Sequence, residues 1–159
     1  MPTIIFIRHA DATSADNLND FDRPLSTRGI RQAQNTALLL KQHNITPTSV
    51  ISSNALRAQQ TTTQILNTLN SNITPTCLPL LYNSYTTNQL LNAIAQHAHG
   101  DTLLLVAHNP DITYRVANLC LQPLPAAFPT AGLLVLSFPT DSWSTLAPRS
   151  ATITLSNFL

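Results

Sequence analysis

The fold is decided by a stretch near the start of the chain, Thr3-Ile4-Ile5-Phe6-Ile7-Arg8-His9-Ala10. Residues 4–7 form an unbroken β-branched and aromatic run, which is typical of a strand buried on both faces in a parallel sheet. An arginine and a histidine follow the run at once. Ligands of open α/β sheets bind at the carboxyl ends of the strands. The stretch therefore predicts a sheet strand with a functional site at its end.

Strands and helices alternate outward from this stretch. Apolar runs predict further strands at 48–52, 102–107, 132–138 and 152–155, and helical spacing predicts helices at 28–42, 54–70, 90–98 and 110–121. Ser26 or Thr27, Asn54 and Asn109 are placed to cap three of these helices, the last with Pro110 at its first position. Residues 10–27 and 71–85 are predicted as loops, the second with a short strand near Cys77. The alternation predicts an α/β fold, a three-layer α/β/α sandwich with a mostly parallel central sheet.

Length and composition limit the class of protein. The 159 residues fit one domain over 1–159, and an apolar fraction of 43% is enough for a packed core. A net charge of +1 gives no electrostatic reason to bind nucleic acid or an anionic membrane. The first apolar run is too short for a secretory signal, and no run approaches the roughly 20 residues of a membrane span. We expect a soluble, cytoplasmic monomer with Cys77 and Cys120 buried and reduced.

Four cationic or ionisable side chains are expected to meet at one edge of the predicted sheet. Arg8 and His9 end the first strand, His108 ends the central one, and Arg57 lies in the first turn of the helix after the second. Helix N-termini at the same edge add backbone N–H groups. Phosphate fits such a site best. A histidine fixed by a hydrogen bond is also a competent nucleophile toward phosphorus, so catalysis is favoured over binding alone.

Three segments carry a resemblance to a known family. Arg8-His9-Ala10 resembles the Arg-His-Gly signature of the histidine phosphatase superfamily, which includes the phosphoglycerate mutases. The segment from Ser53 to Thr61 is similar to the family's Ser-x-x-x-Arg-Ala-x-x-Thr pattern, and His108-Asn109-Pro110 to its second-histidine segment. The short chain and the Arg23-Pro24-Leu25-Ser26-x-x-Gly29 turn most resemble the SixA-type phosphohistidine phosphatases.

The resemblance implies a role for each matching residue. His9 would be the nucleophile that becomes transiently phosphorylated, and Arg8, Arg57 and His108 would hold the phosphoryl group. Arg23, Asp20 and Asn109 would be substrate-binding residues, the first two near the mouth of the site. Neither a metal nor another cofactor is expected, because cationic side chains supply the positive charge.

The chain departs from the family pattern in two places. Ala10 replaces the usual glycine, which is a mild change if the φ angle of Ala10 is negative. Mutase-like members carry a glutamate in the segment matching 79–86, whereas this chain contains no glutamate at all. An alkoxide leaving group benefits from a general acid, but the P–N bond of phosphohistidine needs less help. The missing acid therefore favours phosphohistidine on a protein, such as a histidine phosphotransfer domain, as substrate.

Other functions stay open at this point. The chain could be a phosphomonoesterase for a small metabolite that uses Asp11 or Asp20 as the acid. A non-catalytic phosphate-binding module is less favoured. Mutase activity is disfavoured, since nothing in so short a chain resembles a lobe for a second phosphate.

Overall fold

The structure, a computed structural model, describes residues 1–14 and 16–159 and is built around a six-stranded sheet. The strands are β1 (Thr3–Arg8), β2 (Ser49–Ser53), β3 (Thr76–Leu78), β4 (Thr102–Ala107), β5 (Leu133–Ser137) and β6 (Thr152–Ser156). They lie in the order β3-β2-β4-β1-β5-β6. The first four in that order are parallel, and β5 runs antiparallel to both of its neighbours. The prediction of a mostly parallel sheet is confirmed.

Helices cover both faces of the sheet. They are α1 (Thr27–Gln42), α2 (Leu56–Thr68), α3 (Thr87–His97) and α4 (Asp111–Leu119). Alternate residues of β1 divide the core: Ile5 and Ile7 pack with α1 and α2, whereas Ile4 and Phe6 pack with α3 and α4. This is the predicted three-layer α/β/α sandwich. Because both faces of β1 are buried, the strand reads as a continuous apolar run.

The ends of the helices differ in part from the sequence prediction. Ser26 caps α1 as expected, its hydroxyl accepting from the amide of Gly29. The predicted cap of α2, Asn54, is wrong: Ala55 is the N-cap, with extended backbone and no side-chain cap. The prediction for α4 is also wrong, since Pro110 is itself the N-cap and the helix starts at Asp111. An asparagine before a helix has no capping role once its amide is engaged elsewhere, and the two ends of the Asn109 amide bond to Phe128 and Thr113.

The long loop before α1 is anchored at both of its ends. A bridge pairs Ala12 with Leu25, and the side chain of Gln60 accepts from the amide of Leu25. At Gly29 the first turn of α1 lies so close to the loop that an added Cβ would be 2.0 Å from the carbonyl oxygen of Asp11. The loop carries a 3₁₀ turn at Asp20–Asp22. The predicted loop 10–27 includes residue 15, which lies outside the described residues.

Three smaller features complete the comparison. The predicted strand near Cys77 is present as β3, and a 3₁₀ turn, Pro79–Leu81, follows it. Cys77 and Cys120 are both free, but the expectation of two buried thiols is wrong for Cys77, which is exposed on this edge strand. In the described part of the chain, no helix has the length and apolar character needed to cross a membrane.

Candidate functional site: a histidine and arginine cluster at the sheet edge

The two histidines meet because β1 and β4 are paired in register. Arg8 lies opposite Ala107 at the ends of these strands, so His9 and His108 follow side by side. The amide of His9 donates to the carbonyl of Ala107 at 3.0 Å. The two imidazole rings lie with their centroids 5.0 Å apart.

A backbone hydrogen bond fixes the ring of His9. Its Nδ1 lies 2.8 Å from the carbonyl oxygen of Ala10, and since a carbonyl only accepts, Nδ1 carries the hydrogen. The lone pair is therefore on Nε2. Burial, together with the charges of Arg57, Arg8 and Arg23 and against the Ala10 bond, lowers the pKa of His9 to about 4. At neutral pH the ring is therefore a neutral imidazole.

Arg57 is the cation nearest to that lone pair. It is the second residue of α2 and is buried, and its Nε donates to Nε2 of His9 at 3.3 Å. The side chain of Thr61, one turn along α2, links the two elements: it donates to the Arg57 carbonyl at 2.7 Å and accepts from the amide of Ala10 at 3.0 Å. Thr61 thereby fixes the backbone after His9 against the helix that carries Arg57.

Ser53, at the end of β2, orients His108. Its hydroxyl lies 2.7 Å from Nε2 of His108 and accepts from the amide of Ala55. When the serine hydroxyl donates its proton to Nε2 of His108, the ring hydrogen is on Nδ1. Burial, followed by the neighbouring His9 and Arg57, lowers the pKa of His108 to about 3.

Two buried nitrogens in this cluster have no hydrogen-bond partner among the described residues: Nε of Arg8 and Nδ1 of His108. The other end of the Arg8 side chain donates from Nη1 to the carbonyl of Phe128 at 3.1 Å. Burial, then repulsion by Arg57, lowers the pKa of Arg8. Buried donors without partners are costly. An anion with several oxygens would supply acceptors to both.

Asp20 lies between Arg57 and Arg23 and is hydrogen-bonded to both. The Asp20 carboxylate accepts from Nη2 of Arg57 at 2.9 Å, from Nη1 of Arg23 at 3.0 Å and from the hydroxyl of Tyr82 at 3.0 Å. Burial alone would raise the pKa of Asp20, but these three hydrogen bonds lower it to about 2. Asp20 is therefore an ionised acceptor at neutral pH.

Tyr82, which the sequence does not mark as a functional residue, also contacts this cluster. In the structure its ring lies edge-on to that of His108, with centroids 5.7 Å apart, and edge-on to Phe21 at 5.0 Å. Only its position in the sequence could have indicated that Tyr82 lies at the site, because it falls in the segment where mutase-like members carry their acidic residue.

The remaining predicted residues lie at the margin of the cluster. Asn109 donates to the same Phe128 carbonyl as Arg8, at 2.8 Å, so its amide ties the loop around residue 128 to the end of β4. Ala10 is fully buried and its φ is not positive, so its Cβ fits the turn. Over residues 1–14 and 16–159 there is no group of three or more His, Cys, Asp or Glu side chains arranged to hold a metal ion.

Comparison with known proteins defines the class. Residues 4–81 match the family model of the histidine phosphatase superfamily (branch 1). The chain is 30% identical, over 133 residues, to the phosphohistidine phosphatase SixA of Escherichia coli K12, with 82% of this chain and 81% of that protein covered. The chain therefore belongs to the histidine phosphatase superfamily and is a phosphatase, that is, a hydrolase.

Two solved structures are similar over most of their length. One is the protein histidine phosphatase SixA complexed with tungstate, which superposes with a TM-score of 0.80 at 26% identity and covers 97% of this chain and 95% of that one. The other is a proposed phosphohistidine phosphatase SixA from Agrobacterium tumefaciens, with a TM-score of 0.74 at 30% identity, covering 87% of this chain and 93% of that one.

Proposed function

We propose that the chain removes the phosphoryl group from phosphohistidine on a protein, through a phosphorylated His9 intermediate. The observation that carries the proposal is the state of His9, whose Nδ1 donates to Ala10 while Nε2 presents its lone pair to Arg57. A neutral imidazole that is fixed through Nδ1 has its Nε2 lone pair available to attack phosphorus once substrate displaces Arg57 from that nitrogen.

The reaction would proceed in two displacements. Nε2 of His9 forms a bond to phosphorus while the P–N bond of the substrate breaks, and the substrate ring, protonated on its other nitrogen, leaves as neutral imidazole. Water then attacks phospho-His9, the new P–N bond breaks, and inorganic phosphate leaves as His9 is restored. In each step negative charge on the phosphoryl oxygens is stabilised by donors already in place.

The donors proposed for this role are the side chains of Arg8, Arg57 and His108. Nε of Arg8 and Nδ1 of His108 are the two buried nitrogens that a phosphoryl oxygen would satisfy. The tungstate named with the related SixA structure is likewise a tetrahedral oxyanion. Because the guanidinium groups are permanent cations, the proposed mechanism requires no metal.

The state of the carboxylates favours phosphohistidine over a phosphate ester. An ester with an alkoxide leaving group benefits from a general acid, and the pKa of Asp20, lowered to about 2, leaves it without a proton at neutral pH. The carboxylate of Asp11 is bonded to the hydroxyl of Ser26, beneath the first turn of α1. A phosphoramidate leaving group does not need either residue as an acid.

The accessory residues and the partner are part of the same proposal. Arg23 would contact the substrate near the mouth of the site, while Asn109 would act near the loop that bears Phe128. We propose a histidine phosphotransfer domain or a similar phosphorylated protein as partner, a monomeric enzyme, and a cytoplasmic location.

A rate comparison tests this function. The protein is assayed side by side on a phosphohistidine protein and on a panel of phosphate esters, with and without a chelator. We expect kcat/KM to be highest on phosphohistidine and unchanged by the chelator. Faster turnover of esters with a bell-shaped pH profile would instead indicate a metabolite phosphomonoesterase. Phosphate binding without turnover of any substrate would indicate a binding module.

A further inference from the structure

We propose that Asp20 is a positioning residue, which acts on the reaction by orienting Arg57 rather than by binding substrate. This inference rests on the proposed function of the cluster. It replaces the substrate-binding role that the resemblance implied for Asp20.

The contacts of Arg57 carry the inference. Nη1 donates to the backbone carbonyl of Asp20 at 2.6 Å, and Nη2 donates to its carboxylate at 2.9 Å. One residue thus holds both terminal nitrogens of the guanidinium group, while Nε donates to His9 at 3.3 Å. Since the group is planar and its N–H bonds are rigid, fixing the terminal nitrogens fixes the direction of Nε.

Asp20 does not cover the edge of the Arg57 guanidinium group that faces His9. Asp20 occupies the edge formed by Nη1 and Nη2. The opposite edge, formed by Nε and the second hydrogen of Nη2, is the one beside His9. Two parallel N–H groups of this kind bind two phosphoryl oxygens at once. Asp20 therefore holds Arg57 by its two terminal nitrogens and does not cover the edge that a phosphoryl group on His9 would contact.

Asp20 is itself held in place. One carboxylate oxygen accepts from Arg23 and the other from Tyr82 as well as Arg57. Arg23 is in turn fixed by the donation of its Nε to the carbonyl of Thr13 at 2.8 Å. A carboxylate whose oxygens already accept these bonds has no hydrogen to offer a phosphoryl group, and its charge repels phosphoryl oxygens. Direct binding of substrate by Asp20 is therefore unfavourable.

Because the Asp20 carboxylate is negatively charged, its removal should affect kcat and KM differently in a positioning role and in a substrate-binding role. Replacing Asp20 with alanine frees Arg57 to move, which lowers the rate of phosphoryl transfer. The same change removes a negative charge beside the site, so a dianionic substrate binds no more weakly. A misplacement of about 1 Å can cost about 100-fold in rate. We expect Asp20→Ala to lower kcat by about that factor without raising KM, and Asp20→Asn, which keeps an acceptor, to lose less.

The test uses a chromogenic phosphate ester, so that it does not depend on the identity of the natural substrate. Asp22→Asn is the matched control, because Asp22 is an exposed carboxylate on the same 3₁₀ turn. We expect the control to retain the wild-type kcat and KM. A rise in KM that accounts for the loss of activity in Asp20→Ala would overturn the positioning role. Asp20→Asn carries the same test if the alanine variant does not fold.

A double-mutant cycle tests whether Asp20 acts through Arg57. In the Arg57→Ala background, removing Asp20 should cause no further loss of kcat, because the group that it orients is gone. A further loss of about 100-fold there would mean that Asp20 acts by another route. The proposed function fails separately, if His9→Asn retains turnover.

Discussion

Nε of Arg57 lies 3.3 Å from Nε2 of His9, and the two nitrogens belong to residues 48 positions apart in the chain. The contact shows which tautomer the imidazole adopts, because a guanidinium nitrogen only donates. It also places a permanent cation beside the atom at which a phosphoryl group would be attached.

Arg57→Lys should lower kcat by about 100- to 1000-fold, the usual effect of removing a preorganised donor. Lysine keeps the charge but loses the planar edge that faces His9. Steady-state kinetics on a chromogenic ester measure the change. Arg31→Lys, on the exposed side of α1, is the control and should leave kcat unchanged. Wild-type activity in Arg57→Lys would show that charge alone is sufficient.

Thr61→Val should reduce both stability and kcat. The replacement keeps the shape but leaves the amide of Ala10 without its acceptor, at a cost of about 1–3 kcal/mol. Thr63→Val is a matched control, because the Thr63 hydroxyl also donates to the carbonyl one turn earlier in α2 but lies on the exposed face of the helix. Urea unfolding and kinetics would be measured on both variants. Thr61→Ser, which keeps the hydroxyl, should retain wild-type activity. Equal effects of Thr61→Val and Thr63→Val on kcat would exclude a role of Thr61 in positioning the backbone after His9.

Ser53→Ala should lower kcat by about tenfold, since Nε2 of His108 loses the hydroxyl that orients its ring. Ser52→Ala removes a neighbouring buried hydroxyl that bonds to Ser53 and Thr62 rather than to His108. It should destabilise the fold to a similar extent with little effect on kcat. If both variants lose activity in proportion to stability, Ser53 has only a structural role.

The low pKa values of the two histidines predict how stability depends on pH. Burial lowers the pKa of His9 to about 4 and of His108 to about 3, whereas the unfolded value is 6.5 for both. The unfolded chain therefore binds more protons below pH 6.5, so stability is complete above that pH and is lost as the pH falls toward 4. The loss at pH 5 should be roughly 1–2 kcal/mol for each histidine.

Urea unfolding between pH 4.5 and 7.5 measures how steeply the free energy of unfolding depends on pH. His9→Asn and His108→Asn should each flatten this dependence, while His43→Asn, at the exposed end of α1, should not. The range lies above both the unfolded pKa of Asp20, 3.8, and its folded pKa, about 2, so that carboxylate contributes little to the pH dependence. A wild-type protein equally stable across the range would mean that the histidines are accessible to protons when folded.

The sequence predicted the layers and the four central side chains well, for a physical reason. A strand buried on both faces must be a continuous apolar run, as residues 4–7 are, and the residue after such a strand lies at the edge where ligands bind. The pattern therefore places His9 and His108 at the same edge of the sheet.

The supporting contacts were not predictable in the same way. The bonds of Asp20 to Arg57 and Tyr82 join parts of the chain separated by 37 and 62 residues, and no local pattern encodes them. The cap at Asn109 was predicted incorrectly because local preference was outweighed by a tertiary contact, the bond from Asn109 to Phe128. The cap at Asn54 was also predicted incorrectly, and no contact of its side chain explains the difference.

The most direct test is to trap the intermediate. A protein carrying labelled phosphohistidine is mixed with the enzyme, the reaction is stopped in alkali within milliseconds, and the labelled peptide is identified. We predict an acid-labile, alkali-stable label on the peptide that contains His9, formed and lost as fast as the overall reaction and absent from His9→Asn. Hydrolysis by the wild-type protein with no label on the enzyme, or with the label on His108, would contradict the proposed mechanism.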